Sequence, residues 1–374
     1  MLHIFQEIIR IIVLRIARHS TLISRCCLYW RNRTKIKKSL YQEGNVLTGI
    51  YDFGISPYAL GDILTWNMRL YVQAISSAKD AIDMCIVTDA SSINHYQEHL
   101  VTNYNHYNYF LEVLPAFYCN PMLRNIHFYE NRESFYNSFV AMKIQGQEVS
   151  PNMRQYVRDS VQRSYIYNSH EDINSFYKKN GYIPNLQVPE IFKKNADSIL
   201  KRNYSQQTFF VCVHLRQKRT NSPHEWIERD VNLDDWIGFF DIMKKRHPEV
   251  LFMVVGKPVE WPRELYHREN VVLVKTLGYG LLEELALIHE CDLFMGSNSG
   301  PAVMAMFGYK PYLIFTNPYV ASASAGLYEI KVGDEKLPFA REHQILKWEN
   351  TSTDFLVSSF EEIFSAIRAD KKHF

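Results

Sequence analysis

The sequence predicts an α/β fold with two domains, the second of them doubly wound, and three observations support this prediction. Between Thr208 and Phe315, short apolar runs alternate with amphipathic segments of helical length, which is the pattern of a parallel sheet with crossover helices. The chain has 374 residues, which is more than one hydrophobic core usually serves. A connector at 181–189, interrupted by Pro184 and Pro189, separates this regular half from the chain before it.

These observations divide the chain into four parts. A basic amphipathic segment at 1–40 precedes an N-terminal domain at 41–185 and a C-terminal domain at 186–350. The last part, 351–374, contains a final helix, which we predict to pack back on the first domain.

Apolar periodicity places the individual elements along the chain. The predicted strands span residues 45–52, 83–88, 125–129, 208–215, 250–255, 271–275, 292–295 and 311–315. The predicted helices span residues 60–75, 134–140, 151–164, 190–202, 232–246, 281–290, 301–307 and 354–369. The last five strands alternate with helices, so we expect a five-stranded parallel sheet in the second half of the chain.

Charge and cysteine content exclude some classes of protein. The chain carries 42 Lys and Arg residues against 40 Asp and Glu residues, and this balance argues against a dedicated nucleic-acid binder. Its 6 cysteines show no Cys-x-x-Cys spacing and mostly lie in apolar runs. We interpret them as reduced thiols, as in a cytoplasmic protein.

The N-terminal segment combines an apolar helical face with basic residues. Its apolar run at 8–16 is interrupted by Arg10 and Arg15, which excludes a transmembrane span and a signal peptide in this run. On a helix the apolar residues share one face, and further Lys and Arg residues follow as far as Lys38. Residues 1–38 therefore predict attachment to an anionic membrane surface, on the inner face of the cytoplasmic membrane. A helix docked on the protein itself or on a partner is the alternative.

The stretch from Gly296 to Pro301 is predicted to bind an anion. It follows a buried strand that ends at Met295, turns through small residues, and places Pro301 at the first position of a helix. Backbone N–H groups and the helix dipole then favour a phosphate at this turn. The predicted binding residues are Ser297, Asn298, Ser299, Gly300 and Pro301. An ordinary strand-to-helix turn is the alternative.

A second group of candidate binding residues follows the first strand of the regular half. His214, Arg216, Lys218 and Arg219 lie at or just after its carboxyl end, on the sheet edge that also carries the predicted anion-binding turn. Arg and Lys donate charge-assisted hydrogen bonds to a diphosphate, and the sequence contains no Asp-x-Asp motif of the kind that holds a divalent ion. We therefore predict a diphosphate site without a metal or another cofactor. A solvated basic loop is the alternative for Lys218 and Arg219.

Further candidates follow other strands. Gly256 and Lys257 end the next strand, where glycine permits close approach of the backbone to a ligand, and Leu277 is predicted to border a base or ribose. Simple turns are the alternative for these three residues. In the first domain, Asp62 begins the helix after the first strand and is the candidate catalytic base. Helix capping is the alternative role for Asp62.

Several of these motifs together resemble a known family. Gly61 to Thr65, His214 to Arg216, Gly256 to Pro258 and Gly296 to Pro301 occur in the order found in bacterial GT-B glycosyltransferases similar to the heptosyltransferases. The His-Leu-Arg stretch also resembles the His-x-Arg motif of α1,6-fucosyltransferases. The chain as a whole looks similar to glycosyltransferases of bacterial surface-polysaccharide loci, which make capsule and lipopolysaccharide.

The resemblance implies a GT-B fold, in which two Rossmann-like domains with parallel sheets face each other across a cleft. It also implies an inverting transfer of a sugar from a nucleotide sugar to a glycan or lipid-linked oligosaccharide, with Asp62 as the base. Two departures leave the donor open, because Asn298 stands where heptosyltransferases usually have Asp and Gln217 where fucosyltransferases usually have Arg. The alternatives are a sugar-nucleotide epimerase, a pyruvyl-type transferase and a non-catalytic scaffold of a glycan-assembly complex.

Overall fold

The described part of the chain forms two parallel sheets with helices packed on them. A computed structural model describes residues 45–88, 101–102, 104–135, 137–138, 148–150, 167–204, 206–217, 230–316 and 326–371. The strands are β1 (Val46–Asp52), β2 (Ala81–Val87), β3 (Leu123–Tyr129), β4 (Glu148–Ser150), β5 (Phe209–His214), β6 (Val250–Val255), β7 (Val271–Leu273), β8 (Leu293–Ser297), β9 (Tyr312–Phe315) and β10 (Gln344–Lys347). The helices are α1 (Leu60–Ser76), α2 (His106–Val113), α3 (Tyr167–Asn180), α4 (Glu190–Asn203), α5 (Leu233–Arg246), α6 (Leu281–Glu290), α7 (Gly300–Met306) and α8 (Thr353–Lys371).

The first sheet contains four parallel strands in the order β3-β2-β1-β4. All seven residues of β1 are buried, as expected for a central strand that is covered on both faces. Asp52 at its end is the one charged residue of this strand, and it lies at the carboxyl edge of the sheet. Asp52 therefore lies at the sheet edge where an α/β fold usually places its chemistry.

The second sheet contains six parallel strands in the order β10-β9-β8-β5-β6-β7. Counted from its own first strand, this order is that of a doubly wound nucleotide-binding sheet, in which the chain moves outward first to one side and then to the other. The strand order therefore reverses between β5 and β8, and the carboxyl ends of these two strands form the switch point where such sheets bind ligands.

Side-chain alternation divides the second sheet between two hydrophobic cores. Val211 and Val213 of β5 belong to a core shared with α5 and α8. Cys212 points to the other face, into a core that also contains residues of α6, α7 and the first domain. Because successive side chains of a strand point to opposite faces, the apolar sequence of β5 buries both faces at once.

The C-terminal helix α8 packs on the second domain, so the prediction that it packs back on the first domain is wrong. Its residues Phe360 and Phe364 lie in the core with Phe209 of β5 and Trp236 of α5. At its start, the Thr353 backbone N–H donates to the Asp235 carboxylate of α5 at 3.2 Å. The apolar stripe of α8 was predictable from its period, but the face that it covers depends on contacts with residues more than a hundred positions away.

The second sheet also has one strand more than predicted. β10 pairs in parallel with β9 and follows a long segment without apolar periodicity, so its four residues gave no distinct signal. The largest boundary differences in this sheet are two residues each: β7 ends at Leu273 instead of Lys275, and β8 ends at Ser297 instead of Met295. The predicted bounds of β6 (Val250–Val255) and α6 (Leu281–Glu290) agree with the structure.

The two sheets are linked by direct contacts between their domains. The connector at 181–189 has no regular structure and bonds to both sides, because Leu186 N–H donates to the Phe307 carbonyl and Gln187 N–H donates to the Cys119 carbonyl. The amino ends of α1 and α7 also meet: a Cβ on Gly300 would lie 2.9 Å from Leu60 Cβ. The first turns of these two helices, one from each domain, are therefore in van der Waals contact.

The cysteines of the described residues agree with the prediction of reduced thiols. The four described cysteines, Cys85, Cys119, Cys212 and Cys291, are buried free thiols. Among the helices of the described residues, none has the length and apolar character that a membrane crossing requires. The basic segment at 1–40, on which the prediction of membrane attachment rests, lies outside the described residues.

Candidate functional site

His214 occupies the switch point of the second sheet. It is the last residue of β5, and it pairs with Val255 of β6 on one side and Gly296 of β8 on the other. A Cβ on Gly296 would lie 2.7 Å from the His214 carbonyl oxygen, and a Cβ on Gly256 would lie 3.0 Å from its imidazole ring. The two glycines, predicted as ligand-approach positions, therefore first of all make room for His214.

The buried His214 ring is neutral at physiological pH. Burial is the main cause and the nearby Arg216 guanidinium the second, and together they lower the pKa of His214 to about 3. Its Nε2 lies 3.9 Å from a Glu260 carboxylate oxygen, beyond hydrogen-bond distance. At neutral pH His214 offers a ligand one N–H donor and no charge.

Arg216 supplies a positive charge close to His214. Its Nε lies 3.9 Å from an Asp230 oxygen. Burial lowers the pKa of Arg216, and the charges of Asp230 and Glu260 act in the opposite direction. Two carboxylates thus compensate part of its charge, which means that a bound diphosphate needs further cations or neutral donors. The predicted sources of further charge, Lys218 and Arg219, lie outside the described residues.

The turn between β8 and α7 carries the predicted anion-binding residues. Ser297 ends β8, Asn298 and Ser299 form the turn, and Ser299 is the N-cap of α7 without a side-chain cap hydrogen bond. Gly300 and Pro301 are the first and second residues of α7, so Pro301 lies one position later than predicted. The absence of a side chain on Gly300 is explained by the contact with Leu60 of α1 and not by a ligand alone.

Four buried polar atoms at this switch point have no hydrogen-bond partner among the described residues. They are His214 Nδ1, Arg216 Nη1, Ser297 Oγ and Ser299 Oγ. Buried polar atoms are normally paired, because an unpaired one costs the full desolvation penalty, about 1–3 kcal/mol. A ligand with several acceptor oxygens would satisfy these donors together, which makes this edge the candidate binding site.

The next strand end is engaged in contacts within the protein. The Gly256 N–H donates to the Glu284 carboxylate at 2.9 Å, and Lys275 forms an ion pair with the same carboxylate at 2.9 Å. Burial raises the pKa of Glu284, and these two partners oppose that shift. Lys257, predicted to bind the donor, forms an ion pair with Glu112 of α2 in the first domain. In this structure Gly256 and Lys257 therefore make contacts within the protein, one to α6 and one to the first domain.

Leu277 lies at the carboxyl end of the neighbouring strand β7. It ends a short 3₁₀ turn, is 41% exposed, and precedes Gly278, whose φ of 81° is in the left-handed region. The residue is thus an apolar side chain in contact with solvent on the edge that carries His214. This position agrees with the predicted role beside a base or ribose, which stays a prediction.

Asp62 lies at the carboxyl edge of the first sheet, in the first turn of α1. The N-cap of α1 is Ala59 and Asp62 is the third helical residue, so Asp62 is not the N-cap itself, although an acid in the first turn also stabilises the start of a helix. Its neighbour Gly61 faces the second domain, because a Cβ there would lie 3.3 Å from Val303 Cγ2 and 3.5 Å from Gly300 Cα. The structure thus brings the candidate base and the β8–α7 turn to the same point between the domains.

The sequence reasoning missed a charged pair at the end of β1. Asp52 is fully buried, receives two hydrogen bonds from the Arg132 guanidinium at 2.7 and 3.2 Å, and accepts from the Gly54 N–H at 2.8 Å. Its charge also contributes, after burial, to raising the pKa of Tyr58. The pair fixes the loop that leads into α1. An acid directly after an apolar strand was the available signal, but its partner lies 80 positions away.

One group of possible metal ligands occurs in the described residues, and it lies away from this site. Glu342, His343 and Asp370 have ligand atoms within 4.8 Å of one another. His343 directly precedes β10, so the group lies at the amino edge of the second sheet, opposite to His214. The absence of a metal from the binding edge stays a prediction, because Lys218, Arg219 and their neighbours are outside the described residues.

Comparison with solved structures identifies the fold. A structure described as glycosyl transferase family 9 from Veillonella parvula DSM 2008 is similar with a TM-score of 0.50 and 12% identity, covering 85% of this chain and 97% of that chain. The ADP-heptose lipopolysaccharide heptosyltransferase II of E. coli is similar with a TM-score of 0.49 and 10% identity, covering 88% of this chain and 99% of that chain. No protein-family profile and no curated protein matches the sequence. The likeness to the family 9 structure and the two parallel sheets show that the chain has the GT-B fold that its motifs implied. The candidate site lies at the cleft between the two sheets.

Proposed function

We propose that the protein is a glycosyltransferase that moves a sugar from a nucleotide-sugar donor to a hydroxyl of a glycan or lipid-linked oligosaccharide. The observation that carries this proposal is the contact between the amino ends of α1 and α7 at Gly61 and Gly300. This contact supports a position of Asp62, a carboxylate of the first domain, beside the edge of the second domain that we propose as the donor site. A base and an anion site on opposite domains are what the transfer between two bound substrates requires.

The second domain binds the donor in this proposal. Arg216, the His214 N–H and the hydroxyls of Ser297 and Ser299 donate hydrogen bonds to the diphosphate. Support comes from their four buried polar atoms, which have no partner among the described residues. Preorganised donors of this kind stabilise negative charge that grows on a leaving group, and they do so without reorganisation during the reaction.

Asp62 acts as the general base. It accepts the proton of the acceptor hydroxyl as that oxygen attacks the anomeric carbon, and the bond between the anomeric carbon and the diphosphate oxygen breaks. The nucleoside diphosphate leaves with the electron pair, and the configuration at the anomeric carbon is inverted. The position of Asp62 in the first turn of α1 supports this role, since the residue is half-buried at the carboxyl edge of the sheet.

The cationic residues Lys218 and Arg219 complete the donor site in this proposal and take the place of a metal ion. Their requirement follows from the partial compensation of Arg216 by Asp230 and Glu260. We place the reaction in the synthesis of bacterial surface polysaccharide, at the inner face of the cytoplasmic membrane, with residues 1–38 as the attachment segment. The apolar and basic composition of that segment supports the membrane location.

A thermal-shift screen against UDP-, GDP-, CMP- and ADP-sugars tests the proposal. A ligand that binds only the folded protein stabilises it by about 2.7 kcal/mol at one hundred times its Kd, so one nucleotide class should raise Tm clearly. Release of nucleoside diphosphate that depends on an added glycan acceptor, and persists with EDTA, would support a metal-independent transferase. Consumption of the donor without an acceptor would point to an epimerase. No shift with any nucleotide would contradict the proposal.

A further inference from the structure

The first turn of α1, which carries Asp62, is not capped by its own N-cap residue. Ala59 has no side chain that accepts a hydrogen bond, although a polar N-cap normally stabilises the start of a helix by about 1 kcal/mol. Within the turn, Thr65 Oγ1 donates to the Gly61 carbonyl at 2.8 Å. A base at a helix start without a cap needs support from elsewhere in the protein if it is to hold one position.

A segment of the second domain provides contacts at this place. Residues 326–329 lie between β9 and β10 and pack on α3 of the first domain. The Asn174 side-chain amide donates to the Leu327 carbonyl at 2.9 Å, and Lys178 forms an ion pair with Glu329 at 2.6 Å. These contacts fix the backbone on both sides of Tyr328.

The side chain of Tyr328 reaches the first turn of α1. It is buried, and its ring makes an edge-to-face contact with His170 of α3 at a centroid distance of 4.8 Å. Its hydroxyl forms a hydrogen bond with the Thr65 side chain and lies within electrostatic reach of Asp62. Because Thr65 uses its own proton for the Gly61 carbonyl, Tyr328 is the donor in this bond.

We propose that Tyr328 is a positioning residue, which holds the first turn of α1 and thereby Asp62 in place from the opposite domain. The hydrogen bonds run from Tyr328 to Thr65 and from Thr65 to Gly61, the residue that contacts Gly300. The base is thus correctly placed only while the second-domain segment 326–329 is docked on α3. The inference rests on the proposed function for the role of Asp62 as base. That Tyr328 stabilises the first turn of α1 is a separate physical property, which can be tested without substrates.

Hydrogen exchange tests that property without substrates. Tyr328→Phe removes the hydroxyl and keeps the ring contact with His170, so we expect the amides of residues 63–65 to exchange at least about threefold faster. The matched control is Tyr309→Phe, because the Tyr309 ring also makes an edge-to-face contact with a histidine, His289, at a centroid distance of 5.0 Å. Unchanged exchange in Tyr328→Phe, or equal acceleration in both variants, would overturn the proposal.

Kinetics test the consequence for catalysis. With the donor found in the nucleotide screen, Tyr328→Phe should lower kcat about tenfold and leave KM for the donor within twofold, whereas Tyr309→Phe should change neither. In an Asp62→Asn background, Tyr328→Phe should have no further effect, because residues that act as a unit are not additive. Faster exchange with unchanged kcat would overturn the positioning role. If the wild-type chain transfers no sugar, the proposed function fails, and the exchange experiment still decides whether Tyr328 supports the turn.

Discussion

Adding a single methyl group at Gly300 tests how closely the two domains must approach. In Gly300→Ala the new Cβ would lie 2.9 Å from Leu60 Cβ and 3.3 Å from the Gly61 nitrogen, whereas ordinary contacts begin at 3.4 Å. Both neighbouring atoms belong to the backbone or its first side-chain atom, so they cannot turn away. The amino ends of α1 and α7 must therefore separate by about half an ångström, a distance that catalysis is sensitive to.

The expected effect on rate is larger than the effect on stability. A misplacement of about 1 Å costs roughly a hundredfold in rate, so half that displacement of Asp62 from the donor predicts a decrease in kcat of about tenfold. Overpacking costs about 1–3 kcal/mol of unfolding free energy, and the higher helix propensity of Ala returns up to about 1 kcal/mol. The variant should therefore stay folded at assay temperature.

Steady-state kinetics and calorimetric nucleotide binding are the assays for this variant. The control is Gly326→Ala, because a Cβ on Gly326 meets no atom of the described residues within 4 Å, and it should behave as wild type in both assays. In Gly300→Ala, we expect reduced kcat and nearly unchanged nucleotide affinity. Wild-type kcat together with an unchanged Tm would refute the reasoning, since it would mean that the α1–α7 contact does not position the base.

Three further predictions concern the donor site, pH dependence and membrane attachment. Arg216→Ala should weaken nucleotide binding at least about tenfold by loss of a charge-assisted hydrogen bond of about 1.5–3 kcal/mol, and an unchanged calorimetric Kd would count against its role. Burial lowers the pKa of His170 to about 4 from the ordinary value of 6.5. The folded protein therefore holds this imidazole neutral, which contributes full stability above pH 6.5 and is lost as pH falls toward 4. The loss of unfolding free energy is about 2 kcal/mol by pH 5. In urea unfolding, the difference in unfolding free energy between pH 7.5 and pH 5 should be smaller in His170→Gln than in the wild type. An equal difference in the two proteins would exclude this linkage. Deletion of residues 1–38 should abolish sedimentation with anionic liposomes. Neutral liposomes are the control, because neither the full chain nor the deleted form should bind them appreciably. Retained binding to anionic liposomes would refute the role of residues 1–38 in membrane attachment.

Periodicity predicted most elements of the second sheet because each of them carries its own signal. β6 and α6 consist of continuous apolar or amphipathic runs, and their bounds could be read from the sequence. β10 has four residues and follows a segment without periodicity, so only its pairing with β9 defines it as a strand. The side on which α8 packs is likewise a property of its partners, Phe209 and Trp236.

The candidate site likewise contains residues that could be predicted from the sequence and contacts that could not. Four residues were predictable as site candidates because each lies at or just after the carboxyl end of a strand on a common edge: His214, Arg216, Ser297 and Ser299. The contacts that define the cleft were not predictable, because they join residues far apart in sequence.

Three such contacts decide how individual residues are understood. Lys257 pairs with Glu112 across 145 positions, which gives a predicted donor ligand a role between domains. Gly300 contacts Leu60 of α1, so close helix packing explains why the predicted anion-binding turn has a glycine at this position. The hydroxyl of Tyr328 reaches Thr65 from the opposite domain, which no local pattern in either segment indicates.

The central claim is that Asp62 is the base that acts on an acceptor while the second domain holds the donor. The direct measurement is single-turnover sugar transfer by Asp62→Asn, with nucleotide affinity determined calorimetrically on the same sample. Loss of a general base predicts a decrease of about 10²- to 10⁴-fold in rate, while the nucleotide Kd stays at the wild-type value because the donor edge is unchanged. Transfer by Asp62→Asn at the wild-type rate would contradict the account.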